Sequence, residues 1–356
     1  DAAPEGFDPL DRLDDLVEVY RRLIDQLSAE GAQWIQIEEP ALVTEHHRSD
    51  LAGRIRDAYR HLTAARTPND PSILVATPYG DAEDLLEPLV DAGVDAVHVD
   101  LVSGPDGGRL REPSADQLAL FTSADAPVLV AGVVNGQNIW RTDLRRTLAL
   151  LEELHEAGAR VSVSTSTSLI HVPHDASRED RLNDQPLRWL AFADQKVGET
   201  VILAKGLAEG SEAIADHLEA SDEAIRHRAE ARGTRDADVR ERVSGLTEAD
   251  CHRETAEERQ RKQASDGIAA NLPDVPTTTI GSFPQTADIR SVRADYRAGR
   301  LGEAEYVERL KQEIRSVISL QEDLGLDVLV HGEPERNDMV QYFAENLDGF
   351  DVTRYG

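Results

Sequence analysis

The chain has 356 residues, room for about two domains at roughly 150 residues each, and its 38 basic against 68 acidic side chains give a formal net charge of −30. That charge excludes a general nucleic-acid binder, which needs a positive face for phosphates, and disfavours docking on an anionic membrane. The single cysteine, Cys251, excludes an internal disulfide and a thiolate-rich zinc site, and apolar runs such as Val128–Val134 fall far short of the ~20 residues of a membrane span.

Asp1 to Glu5 carry neither an initiator methionine nor a signal-peptide pattern, so an internal piece of a longer cytoplasmic protein is expected. Leu10–Leu27 has the helical period and leads into a strand at Trp34–Glu38. Ser72–Ala76 is the second strand. The helix-like Ala82–Ala92 precedes a third at Ala96–Asp100. Val128–Val134 is the fourth, and the helix Asp143–Ala157 precedes the fifth, Val161–Ser164. Gly31, Gly93 and Gly158 stand where these helices end, as C′ caps at positive φ.

Strands alternating with helices predict an α/β fold with a parallel sheet. No G-x-G-x-x-G follows any strand, so a dinucleotide fold lacks its phosphate loop. Polar residues instead gather just past the strand ends: Glu38, Glu39, Tyr79, Asp100, Asn135, Ser166, Ser168 and His171. That is the chemically active rim of a (β/α)8 barrel, and about three further units would have to precede Asp1 to close one.

From Leu203 to Ala270 arginine, glutamate and alanine dominate, predicting charged, exposed helices. Pro273 and Pro276 end that stretch. A strand Thr277–Ile280, a loop Gly281–Gln285, a helix Tyr306–Leu324 and a strand Leu326–Val330 follow, the last running into His331, Gly332 and Glu333. The lysines are only Lys196, Lys205, Lys262 and Lys311. Arginine in place of lysine on an acidic chain fits either a surface adapted to high salt, where charge repulsion is screened, or a GC-rich genome.

Other features have ordinary readings. Cys251 beside His252 is an incidental cysteine of the charged stretch. His171 and His174 have an H-x-x-H spacing, but Pro173 makes that segment a loop rather than a metal-binding helix. His46 and His47 are a surface pair. Trp189–Lys196 reads as a helix with core aromatics.

The strings Thr277–Thr286, Gln321–Glu333 and Glu335–Val340 resemble the opening of the catalytic barrel of cobalamin-independent methionine synthases. Trp34–Leu42, His98–Val102, Gly136–Arg141 and Ser168–His171 are similar to their N-terminal barrel. The resemblance spans nearly the whole chain and the middle of the family's length. It implies two (β/α)8 TIM-type barrels, both incomplete here: residues 1–202 as the second half of the N-terminal barrel, 203–275 as a charged helical linker, and 276–356 as the start of the C-terminal barrel.

The activity implied is transfer of the methyl group of 5-methyltetrahydropteroyl-polyglutamate to the zinc-bound thiolate of homocysteine, giving methionine. Zinc makes a nucleophile of a thiol that is mostly protonated at pH 7, and protonation helps the tertiary-amine leaving group. The resemblance places the Zn2+ ligands beyond Gly356, with no catalytic or metal residue in this chain. It makes Ile280, Gly281, Ser282 and Glu333 the homocysteine site: backbone N–H groups and a hydroxyl for the carboxylate, Glu333 for the ammonium. His331 is divided between a site and a packing role. Glu38 and Glu39 at a strand end have the chemistry for acid/base work, but the family's N-terminal barrel is a duplicated copy without the chemistry, so a structural or interbarrel role is expected. The implied whole protein is a cytoplasmic monomer that touches neither nucleic acid nor membrane. Two rivals stay open: a non-catalytic binding module serving a separate catalytic chain, and another barrel methyltransferase of the uroporphyrinogen-decarboxylase-like group.

Overall fold

The structure, a computed structural model, describes residues 6–44, 50–64, 66–67, 70–103, 109–182, 184–231, 233–265, 271–336, 338–347 and 349–354. The elements run α1 (Leu13–Ala29), β1 (Trp34–Glu38), α2 (Leu51–Thr63), β2 (Ser72–Thr77), α3 (Leu86–Asp91), β3 (Ala96–Asp100), β4 (Val102–Ser103), β5 (Arg109–Leu110), α4 (Ala115–Ala119), β6 (Val128–Val134), α5 (Leu144–Glu156) and β7 (Val161–Thr165). Then come α6 (Asp184–Leu187), α7 (Ala193–Glu209), α8 (Ala215–Glu230), α9 (Ala237–Ser244), α10 (Ala256–Ser265), α11 (Ala287–Arg297), α12 (Glu303–Asp323) and α13 (Met339–Asn346). Residues 1–231 with 353–356 form one compact unit, and 232–352 a second. His46 and His47 lie outside the described residues.

In the first unit β1-β2-β3-β6-β7 form one parallel sheet in that order, and β4 pairs antiparallel with β5. Ile37, Val75, Val97, Leu129 and Val161 stand side by side across it. They join one apolar core with Val17 and Ile24 of α1, Tyr59 and Leu62 of α2, Leu89 of α3, Leu151 of α5, Leu203 of α7 and Leu218 of α8. Burying each such aliphatic side chain is worth about 1.5–3 kcal/mol. The other face carries the in-register row Glu38, Ala76, His98, Val130 and Ser162, none of it in that core. Helices therefore cover one face of the sheet. Gly31, Gly93 and Gly158 have φ of +88°, +74° and +102°, as their places at helix ends require.

Two local expectations need correction. Trp189–Phe192 are not helical, and α7 starts at Ala193. Trp189 N donates to Pro186 O and Leu190 N to Leu187 O, turning the chain, and Gln195 Oε1 then accepts from Phe192 N at 3.2 Å to begin the helix. In the second unit neither Thr277–Ile280 nor Leu326–Val330 forms a strand; the two segments lie side by side. Asp327 N and Val328 N both donate to the one carbonyl of Thr277, at 3.2 and 3.0 Å. The Asp327 carboxylate takes Thr277 N and Oγ1, both at 2.8 Å. The buried Gln321 amide of α12 pairs with Val330 N and O, both at 2.8 Å. Side chains thus satisfy the backbone groups that a ladder would use.

Candidate functional site

In the second unit the 281–285 loop ends on Thr286, whose hydroxyl caps α11 by accepting from Ile289 N. Phe283 N donates to Gly332 O at 2.7 Å. That bond sets Ser282 one residue from the crossing and Glu333 one residue from its other side. A buried network fixes the crossing. Gln285 Nε2 donates to Arg336 O at 2.5 Å, Arg293 Nη1 to Gln285 Oε1 at 3.0 Å, and Arg293 Nη2 to Glu335 O at 2.7 Å. Ile280, Gly281 and Ser282 are exposed, and a methyl group on Gly281 would meet nothing within 4 Å. A ligand can therefore reach this backbone.

Glu333 sits at φ +53°, a left-handed conformation that costs a non-glycine residue energy and gathers at functional sites. Its N–H donates to His331 Nδ1 at 3.2 Å, and its carboxylate pairs with the buried Arg336. Arg336 in turn lies over the rings of Tyr342 and Phe343, 5.4 and 5.1 Å from their centroids. Sequence reasoning assigned Arg336 no role. Its signal was the three-residue spacing from Glu333, which suits an ion pair across a turn. Ile280, Gly281, Ser282 and Glu333 are thus brought to one exposed place, with hydrogen-bond donors on one segment and a carboxylate on the other. Such a pair of surfaces suits a ligand bearing both a carboxylate and an ammonium.

In the first unit the rim residues are largely used by the fold. Glu39 Oε1 accepts from Tyr59 OH at 2.6 Å, tying the rim to α2 as a structural role requires. Burial and that carboxylate together push the Tyr59 phenol far up. Glu38 accepts from Gln36 Nε2 at 3.2 Å. Asn135 caps its own loop through Gln137 N and Asn138 N, Ser166 accepts from Gly136 N, and Ser168 from Ile170 N. Burial raises Asp100 to about 7 although it accepts from Val102 N at 2.9 Å. Tyr79, at φ +80°, meets His171 Nε2 at 2.9 Å through its hydroxyl.

His98 is buried, which lowers its pKa, and its Nε2 meets Thr165 O at 2.9 Å, so Nε2 carries the proton. It borders a cavity of about 220 Å³ on the helix-free face of the sheet, beside Glu38 and Ser164. His171 and His174 go separate ways, the second to Asp194 at 3.5 Å. Cys251 is exposed at the end of a short turn, beside His252, which reaches back to Glu248 at 3.5 Å. Among the described residues no three His, Cys, Asp or Glu side chains come together to hold a metal.

Comparison with known proteins adds the following. Residues 1–159 match the N-terminal domain of the cobalamin-independent synthases, and residues 275–356 match their catalytic domain. A 5-methyltetrahydropteroyltriglutamate–homocysteine methyltransferase from Streptomyces griseus is 46% identical over 98% of this chain and 44% of its own length. Relatives of the same name from Mycolicibacterium paratuberculosis and Mycobacterium tuberculosis are 46% identical, again over 98% of this chain and 44% of their own. The chain thus spans a little under half the length of the curated relatives it matches.

Proposed function

Because the chain belongs to the cobalamin-independent methionine synthase family, we propose that it is part of a methyltransferase that carries the methyl group of 5-methyltetrahydropteroyl-polyglutamate to homocysteine, giving methionine. Residues 1–202 supply the second half of an N-terminal (β/α)8 barrel, 203–275 a helical segment and 276–356 the start of a catalytic one. Two features support a barrel. The strands follow one another across the sheet in chain order, and the helices cover only one face. A doubly wound sheet reverses its order at a switch point and is covered on both faces. No helix among the described residues is long and apolar enough to cross a membrane, and we place the whole protein in the cytoplasm as a monomer.

The second unit holds the amino-acid end of homocysteine in this reading. Backbone N–H groups at Gly281 and Ser282 and the Ser282 hydroxyl receive the carboxylate. Glu333 receives the ammonium, and its ion pair with Arg336 holds that carboxylate in place. The observation that carries the reading is the Phe283–Gly332 hydrogen bond, which brings Ser282 and Glu333 to one exposed place. Zinc is the family's means of making the thiolate. Among the described residues no three His, Cys, Asp or Glu side chains converge on a metal, and this reading assigns none of them as a zinc ligand.

Glu333→Gln in the full-length protein should weaken homocysteine binding by about 10- to 150-fold, the loss of a charge-assisted hydrogen bond worth ~1.5–3 kcal/mol. Titration calorimetry with homocysteine and, separately, with the folate donor measures this. Folate affinity should hold. An unchanged homocysteine affinity refutes the assignment.

A further inference from the structure

We propose that the rim beyond β6 holds an oxoanion site. A cavity of about 260 Å³ opens there, walled by Val102 of β4, Arg109 and Leu110 of β5, the loop from β6 to α5, the first turn of α5 and the last turns of α8. Arg109, Arg141, Arg146 and Arg228 line it, and Asp143 is the one acidic residue among its described lining. Four arginines line this one space although the chain as a whole carries −30. Concentrated positive potential on an acidic molecule draws in anions, and the guanidinium fork matches carboxylate and phosphate geometry.

A second, independent observation lies in the same wall. Thr147 is 1% exposed, and its Oγ1 has no hydrogen-bond partner. Buried hydroxyls nearly always have one, and Thr147 is among the residues that line the cavity. The protein itself caps the start of α5: Asp143 Oδ1 accepts from Arg146 N at 3.0 Å, and Ser221 Oγ from Leu144 N at 3.3 Å. The oxoanion is therefore held by arginines and the Thr147 hydroxyl, with the positive end of α5 adding to the attraction.

The cavity wall is also fixed in place. Arg228 stacks on Trp140 with its guanidinium carbon 3.5 Å from the ring centroid. The buried Lys196 Nζ donates to Trp140 O at 3.1 Å and Asn138 Oδ1 at 3.4 Å, pinning the loop that carries Arg141. Loops beyond the carboxyl ends of parallel strands are where α/β sheets and barrels bind ligands.

The shared chemistry is a small oxoanion. It has two sources, free phosphate and the γ-glutamyl carboxylates of a polyglutamate tail, and the second rests on the methyl donor proposed above. The test is calorimetry of the full chain at low ionic strength with inorganic phosphate and, separately, with tri-γ-glutamate lacking any pteridine. At least one probe should bind one to one. Arg146→Gln should weaken it about tenfold, the worth of one charge-assisted hydrogen bond. Thr147→Val should weaken it severalfold while leaving the melting temperature equal or higher, because it removes an unpartnered polar group.

Phosphate binding alone assigns the first source, and tighter triglutamate binding the second. The proposal is overturned if neither probe binds, if Arg146→Gln binds as the parent does, or if Thr147→Val leaves affinity unchanged, since diffuse charge would then account for the binding. Phosphate binding in a protein that transfers no methyl group leaves this site standing and removes only the reaction proposed above.

Discussion

Lys196→Met is expected to cost about 1.5–3 kcal/mol of unfolding free energy at pH 7, the worth of hydrogen bonds from a charged group whose buried acceptors are left unsatisfied. Lys196 has no exposed surface, although it lies in the first turn of α7, where a cation opposes the helix dipole. Its acceptors are Trp140 O and Asn138 Oδ1. One turn on, Glu199 is also buried, and its two oxygens accept from Thr142 N at 3.2 Å and Thr142 Oγ1 at 2.7 Å. Burial lowers Lys196 to about 8 and raises Glu199, while each charge pulls the other back toward its ionised form.

The signs give pH signatures. Lys196 has a folded pKa below its unfolded value, so the unfolded state holds more proton between about pH 8 and 10.4. Wild-type stability should rise across that window relative to the variant. Glu199 is raised in the fold, so folding favours its protonated form. With the cation gone that preference grows, and the loss should shrink as pH falls from 7 toward 5. Lys196→Met/Glu199→Gln should regain part of the loss, because the buried charge that the cation stabilises goes with it while the Trp140 and Asn138 acceptors stay unsatisfied. Urea unfolding at about pH 5, 7, 8 and 10.4 measures all of this. A loss below about 1 kcal/mol at pH 7, the scale of a surface pair, contradicts the account.

Gly132→Val is expected to cost about 3 kcal/mol, the upper end for overpacking. Gly132 is in β6, in register between Asp100 and Ser164. A Cβ there would lie 2.6 Å from His98 Nε2, 2.9 Å from Val99 O and 3.0 Å from the Ser166 Cα. Two of the three are backbone atoms, so turning the His98 ring cannot relieve the clash, and the sheet itself must move. Gly132→Ala should cost less than the valine variant. Combining Gly132→Val with His98→Ala should recover only part of the loss, since the backbone contacts remain. A valine variant within about 0.5 kcal/mol of wild type, the range of an ordinary surface substitution, contradicts this packing.

The parallel sheet was legible because its strands are short apolar runs bounded by glycines at positive φ; Val128–Val134 forms over the expected residues. Helix α2 was harder to see. Ile55, Tyr59 and Leu62 form its buried stripe, but Gly53 and the arginines at 54, 56 and 60 break up the period in the sequence. Thr277–Ile280 and Leu326–Val330 have the apolar and β-branched composition of strands. Their failure to ladder depends on the Gln321 amide and the Asp327 carboxylate, one of them supplied by a neighbouring helix, and composition does not encode that. At the candidate site, Ile280, Gly281, Ser282 and Glu333 are proposed from their motif alone. Arg336, Lys196 and Thr147 were not legible in the sequence, because their importance lies in burial and partners rather than in spacing.

The most direct measurement is methionine formed by the full-length protein that carries this chain, given homocysteine and 5-methyltetrahydropteroyltriglutamate with no cobalamin present. The account predicts stoichiometric transfer of labelled methyl groups to homocysteine, with Glu333→Gln raising the homocysteine KM. No transfer above background at saturating levels of both substrates would contradict it.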